Sequence, residues 1–198
     1  REKINFDELY SGYYETRVKV ETIEAFFKNR TLEKRGLGHY PNEFVQLRSN
    51  SGTRRTALGR VVEPGVLTHL SKTNERVWNV QARNREQRMA IELLMDPDIQ
   101  IVTLVGQAGT GKTLLAMAAG LHSVLRSRRY DCVLVSRPVI PLGKDIGYLP
   151  GAKEEKLAHW MQPIFDNLAY LLHEEETPTG KKKKPAGTTQ QRIDRLLN

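Results

Sequence analysis

Residues 106–113 read Gly-Gln-Ala-Gly-Thr-Gly-Lys-Thr: a glycine, four residues, then Gly-Lys-Thr. This pattern constrains the fold because it works only as a turn joining a buried strand to a helix. Both flanks comply. Residues 99–105 form a short β-branched apolar run that predicts a buried strand, and Leu114, Leu115, Ala118 and Leu121 recur at helical spacing. Gly106, Gly109 and Gly111 permit backbone angles denied to other residues, so that consecutive N–H groups can curl around a phosphate oxygen. The helix opens onto that anion and adds its orphan donors and its dipole. Lys112 brings a mobile positive charge to the outer phosphates, and the Thr113 hydroxyl is suited to Mg²⁺. Gln107, Ala108 and Thr110 contribute backbone N–H groups more than side chains, and Leu114 begins the helix beside them. The expected cofactors are ATP and Mg²⁺, with Lys112 and Thr113 catalytic and Thr113 the metal ligand. The competing reading is a glycine turn followed by an ordinary lysine, which leaves the agreement of strand, glycines, Lys and Thr unexplained.

Composition sets wider bounds. The 198 residues suffice for one ordinary domain or a domain with an appendage. No apolar run approaches the roughly 20 residues that span a bilayer, and no secretory pattern opens the chain. The single cysteine, Cys132, lies in an apolar run and is expected to fill a core, in a reducing, cytoplasmic setting. Lys and Arg number 31 against 23 Asp and Glu, a formal charge of +8. A basic surface attracts polyanions such as nucleic acid. Half of that excess comes from Lys181–Lys184 alone, so a solvated basic face is an equal alternative.

Three segments are expected. Residues 1–35 are mixed and polar, a linker or remnant: Tyr10, Tyr13 and Tyr14 with Ser11-Gly12 suggest a loop, residues 17–20 a short strand and residues 22–29 a short helix. Residues 36–81 carry β-branched and aromatic runs at 43–47, 56–62, 66–70 and 77–81, separated by Asn50-Ser51-Gly52 and Pro64-Gly65. They predict a small antiparallel β module. Its arginines and lysine, among them Arg48, Arg54, Arg60 and Lys72, suit either a nucleic-acid grip or a spacer, and Phe44 and Trp78 are its candidate stacking aromatics. Residues 82–198 hold the P-loop core. A helix at 84–95 ends at Asp96-Pro97, the P-loop strand and helix follow, and residues 132–135 predict a second strand. Later, Leu157, Met161, Ile164, Leu168 and Leu171 or Leu172 mark a helix kinked or restarted at Pro163, before a low-complexity stretch at 177–190 and a short helix at 191–197. The histidines His69, His159 and His173 are scattered, and His122 is expected to be structural.

Several separated segments resemble one family. Asn84–Gln87, Leu104–Thr113, Ser136-Arg137-Pro138, and Gly143 through Leu149-Pro150-Gly151 together are similar to the PhoH-like ATPases, P-loop proteins related to superfamily 1 helicases. The Arg-Pro and the glycine-spaced Leu-Pro-Gly loop are more selective than the P-loop itself. Met95-Asp96-Pro97-Asp98 and the β-containing segment before it resemble the subfamily in which a PIN ribonuclease domain precedes the PhoH domain. The resemblance implies an ATP-dependent RNA-unwinding and RNA-cleaving protein, often a ring-shaped homo-oligomer acting on RNA or other single-stranded nucleic acid, with no membrane partner. It also implies that Gln87 contacts the adenine edge, although Asn84 and Gln87 have capping-box spacing as well. Arg137, expected at the carboxyl end of a strand, suits nucleic-acid phosphate, ATP of its own or a neighbouring subunit, or a plain ion pair.

Two departures stand beside this. Residues 1–35 lack the strands that would gather the acids of a PIN nuclease. Past Lys112, no acid ends a further apolar strand, where a P-loop ATPase holds Mg²⁺ and positions water. The chain is therefore expected to be the first half of an α/β core: a P-loop parallel sheet flanked by helices, preceded by the β module and cut at its carboxy terminus. Such a piece is expected to bind ATP without hydrolysing it. The alternatives are a nucleotide-dependent RNA-binding oligomer without motor activity and a P-loop kinase.

Overall fold

The computed structural model describes residues 11–52, 54–72, 75–137 and 153–173, with side chains in the last segment from 161 to 172. Tyr10, the loop ending Leu149-Pro150-Gly151, the lysine run at 181–184 and the helix expected at 191–197 lie outside these residues. The fold is α/β, and the chain divides into two compact units, Arg1–Asn74 and Glu75–Asn198.

The first unit is a five-stranded sheet with one helix. Its strands are β1 (Tyr13–Val18), β2 (Thr31–Glu33), β3 (Phe44–Ser49), β4 (Thr56–Glu63) and β5 (Val66–His69), in the order β1-β3-β4-β5-β2. Three pairings are antiparallel, but β1 runs parallel to β3, with Tyr13 opposite Phe44 and Val18 opposite Ser49. The module is thus mixed rather than antiparallel throughout, and Tyr13 and Tyr14 are strand residues rather than loop. A parallel pair needs a long crossover, which β1 obtains from α1 (Val20–Asn29) and β2. Helix α1 buries Ile23 and Phe26 completely against Val45, Leu47, Val61 and Leu67. Gly59 makes this approach possible: a Cβ there would lie 2.5 Å from Leu67 Cγ and 2.9 Å from Phe26 Cζ. Phe44 is buried, so this candidate stacking aromatic belongs to the interior.

The second unit opens with a tight hairpin, β6 (Arg76–Val77) and β7 (Val80–Gln81). The two residues between them, Trp78 and Asn79, both have positive φ, 47° and 62°, as a type I′ turn requires. Trp78 is buried, the second stacking candidate to prove a core residue. Its indole Nε1 donates to Leu171 O at 3.1 Å, and the Arg126 guanidinium lies 5.0 Å above the ring centre. Helix α2 (Arg85–Met95) is capped by Asn84, whose side chain accepts from Gln87 N, and it stops at Asp96 in an extended conformation before Pro97. Helix α3 (Lys112–Leu121) follows the P-loop and widens into a π-helical turn, His122–Arg126. Helix α4 (Lys153–His173) runs through Pro163 as one element. Ile91, Met95, Leu115, Ala118, Leu121, Leu168, Leu171 and Leu172 pack together as this unit's core.

Two expected strands are not found. Residues 99–105 and 132–135 have no ladder partner among the described residues. Ile101 is 85% exposed and Leu134 92%. Cys132 is likewise exposed rather than a core filler. Apolar, β-branched runs of this kind signal strands covered on both faces, but the ladder itself depends on neighbouring strands that such a run cannot supply. The second segment still packs on α3 at one point: a Cβ on Gly120 would stand 3.2 Å from the Val133 methyl groups.

Candidate functional site: the P-loop and its adjoining cavity

The loop owes its shape to two glycines. Gly109 (φ 77°) and Gly111 (φ 85°) are left-handed, and Gly111 is the N-cap of α3, accepting the first helical bond from Leu115 N at 2.9 Å. Gly106 has an ordinary φ and room for a side chain, its nearest neighbour being Thr110 Oγ1 at 3.7 Å from a notional Cβ. Lys112 curls back over the loop. Its ammonium donates to Gly106 O (2.9 Å), Gln107 O (2.6 Å) and Thr110 Oγ1 (3.2 Å), while Thr110 Oγ1 donates to Gln107 O at 2.9 Å. Ala108 and Thr113 are exposed, and Leu114 is half-buried behind them. A helix opening at Lys112, left-handed glycines before it and an ammonium over the loop suit an anion with several oxygens.

Gln87 joins α2 to this loop. Its backbone N–H is capped by Asn84 Oδ1 at 2.8 Å, its Oε1 accepts from Arg83 N at 2.8 Å, and its Nε2 donates to Thr110 O at 3.2 Å. The capping geometry is therefore made, with Gln87 reaching one residue further back than the usual box. The amide also stands 3.3 Å from where a Cβ on Gly111 would lie, so it touches the P-loop from the side.

A cavity of about 900 Å³ opens beside the loop. Gly109, Gly111, Leu114 and Leu115 form one wall, the Asn79–Arg83 stretch with Gln87 a second, and Asp166, Asn167 and Tyr170 of α4 a third. Among the described residues, Asp166 is the one carboxylate in this lining. On α4 the apolar positions define the buried side, and 166, 167 and 170 form a stripe on another face of the same helix, legible from helical spacing but carrying no motif. Arg137 is exposed and is not among the lining residues, and the segment leading to it forms no strand.

Among the described residues, no group of three His, Cys, Asp or Glu side chains could hold a metal. The exposed Thr113 at the mouth of α3 offers a hydroxyl of the hard-oxygen kind that suits Mg²⁺ carried by nucleotide phosphates. Beyond α3, His122 Nδ1 is buried with no hydrogen-bond partner. Burial first, then the charges of Arg126 and Arg129, lower its pKa below the ordinary histidine value. Among the described residues, no helix is long and apolar enough to cross a membrane.

The profile of the PhoH-like protein family matches residues 79–187. Protein PhoH2 of Bacillus subtilis (strain 168) is 43% identical over 174 residues, covering 86% of this chain and 39% of that relative. Protein PhoH2 of Thermobispora bispora is 37% identical over 167 residues, covering 84% of this chain and 38% of the relative. A PhoH-like protein of Synechocystis sp. is 32% identical over 111 residues, covering 56% of this chain and 33% of its own length. The chain thus spans about two fifths of the length of the PhoH2 relatives it matches. No solved structure matches it. With the family profile covering more than half of its residues, and a glycine-lysine loop opening onto a helix within that span, the chain belongs to the PhoH-like protein family.

Proposed function

We propose that this chain is the nucleotide-binding part of an ATP-hydrolysing, RNA-acting protein, a helicase-like motor coupled in the whole protein to a PIN ribonuclease. One observation carries the nucleotide part: Lys112 is held over a loop that contains the left-handed Gly109 and Gly111 at the mouth of α3. In this reading Gly106 to Thr113 cradle the β- and γ-phosphates, Lys112 follows the charge that grows on them toward the transition state, and Thr113 helps to hold Mg²⁺. Bound Mg²⁺ neutralises phosphate charge; orienting the nucleotide falls to the loop, Gln87 and Leu114. The RNA and PIN assignments rest on the family resemblance of Ser136-Arg137-Pro138 and Met95–Asp98, and on the basic balance of the chain. Arg137 is assigned to nucleic-acid phosphate or to a neighbouring subunit of a homo-oligomeric ring.

Turnover by the intact protein, with and without RNA, tests this directly. Lys112→Ala is expected to lower ATP hydrolysis at least about 100-fold with the fold intact. Wild-type turnover in the folded variant would remove the P-loop from the mechanism. Hydrolysis indifferent to RNA would leave an ATPase without the proposed substrate.

A further inference from the structure

The loop accounts for phosphate, but the cavity beside it is too large and too mixed in chemistry to serve phosphate alone. At about 900 Å³ it lies within the range that holds a whole nucleotide-sized ligand. Its far wall is α4. The neighbours Leu168, Leu171 and Leu172 are buried, whereas Tyr170 is 44% exposed and lines the cavity. Apolar surface from Val80 and Leu114 shares that space. This wall is held firmly. Trp78 occupies a left-handed conformation that costs a bulky residue energy, and its indole is tied to Leu171 O, the carbonyl next to Tyr170. The adjoining Asp166 accepts from Gln162 Nε2 at 2.8 Å through Oδ1. An ionised carboxylate only accepts, so any ligand group it takes from the cavity is a donor. The phosphates at the loop offer none when ionised, whereas a ribose offers hydroxyls.

We infer that α4 supplies the nucleoside end of the site: Tyr170 stacks on the base, and Asp166 accepts a hydrogen bond from a ribose hydroxyl. The inference rests on the nucleotide reading above and adds a second anchor to it, remote in sequence from the P-loop. Stacking on a tyrosine ring accepts any base, so Tyr170 raises affinity for nucleosides without choosing among them.

Calorimetric binding of Mg-ADP and Mg-pyrophosphate to the intact protein separates the two ends. Tyr170→Ala is expected to weaken ADP about tenfold or more while leaving pyrophosphate unchanged, and Tyr170→Phe should restore the affinity. Asp166→Asn should weaken ADP severalfold, again sparing pyrophosphate. Lys112→Ala should weaken both ligands. ADP affinity unchanged in Tyr170→Ala, or equal losses for ADP and pyrophosphate, would overturn the inference while leaving the P-loop reading standing. A wild-type protein that binds neither ligand would remove the P-loop reading and this inference with it.

Discussion

The two units handle their apolar residues in opposite ways. In the first, every strand of the sheet has a partner, and Val45, Leu47, Val61 and Leu67 are fully buried. In the second, the helices share one core, yet the apolar runs at 99–105 and 132–135 have no ladder partner among the described residues, and Ile101 and Leu134 stand in the open. The contrast follows from how each sheet is closed. Strands β3, β4 and β5 are joined by short turns, so each brings its neighbour with it. Runs separated by whole helices must find partners across the fold. The left-handed Gly109 and Gly111 and the start of α3 are formed all the same, although the apolar run before them has no ladder partner among the described residues.

Substitutions can break or sharpen this contrast. Phe26→Ala should have the largest effect, a loss of about 3–5 kcal/mol from the first unit, since the ring is fully buried under α1. Chemical denaturation followed by first-unit probes measures it. A loss under about 1 kcal/mol would mean that this core is looser than its burial implies. Gln87→Ala comes next. It should cost about 1 kcal/mol through the lost ties of α2 to Arg83 and Thr110. If the amide also reads adenine, the preference for ATP over GTP should fall in the same variant; a selectivity assay beside a melting curve separates the roles.

Smaller effects are expected at His122. Its folded pKa lies below the ordinary 6.5, so the unfolded state binds more protons in the window between the two values. The stability it contributes is complete above the unfolded pKa and is lost as pH falls through 6.5 toward the folded value. His122→Leu should flatten that acid limb in a series of melts between about pH 7 and pH 5, and an unchanged limb would assign the acid sensitivity elsewhere. Leu134→Ser should be the smallest, within about 0.5 kcal/mol in this chain, because the residue is 92% exposed. A large loss in the same change made in the intact protein would show that the segment is covered there.

Local signals explain what was readable in the amino-acid order. Asn84, the Asp96-Pro97 stop and the P-loop glycines are short-range chemistry, and α2 begins and ends, and α3 begins, where those residues predict. Strands β3, β4 and β5 were legible by β-branched runs between turn residues. Three features were not. The parallel pairing of β1 with β3 joins residues about thirty apart, with no local mark. The turn at Trp78-Asn79 lacks the Asn-Gly or Asp-Gly that announces such turns, because tertiary contacts of the indole hold it. The α4 wall was hidden for a related reason: Asp166, Asn167 and Tyr170 form no motif, and only folding brings them to Gly109 and Gly111. The P-loop could be read because its function lies within eight consecutive residues.

The grip of Lys112 on its own loop has a consequence for what the site will accept. Its three hydrogen bonds, to two carbonyls and a hydroxyl, engage all three ammonium protons. An arriving anion therefore enters by exchange, displacing carbonyl partners rather than meeting an unattached charge. A singly charged, one-point anion has little to offer against neutral acceptors already in place. A phosphate chain brings several oxygens and more than one negative charge, so it can outcompete them and use the helix mouth at the same time. Under the nucleotide reading proposed above, these contacts keep the lysine within reach of the phosphate chain it is to receive and favour that chain over a one-point anion.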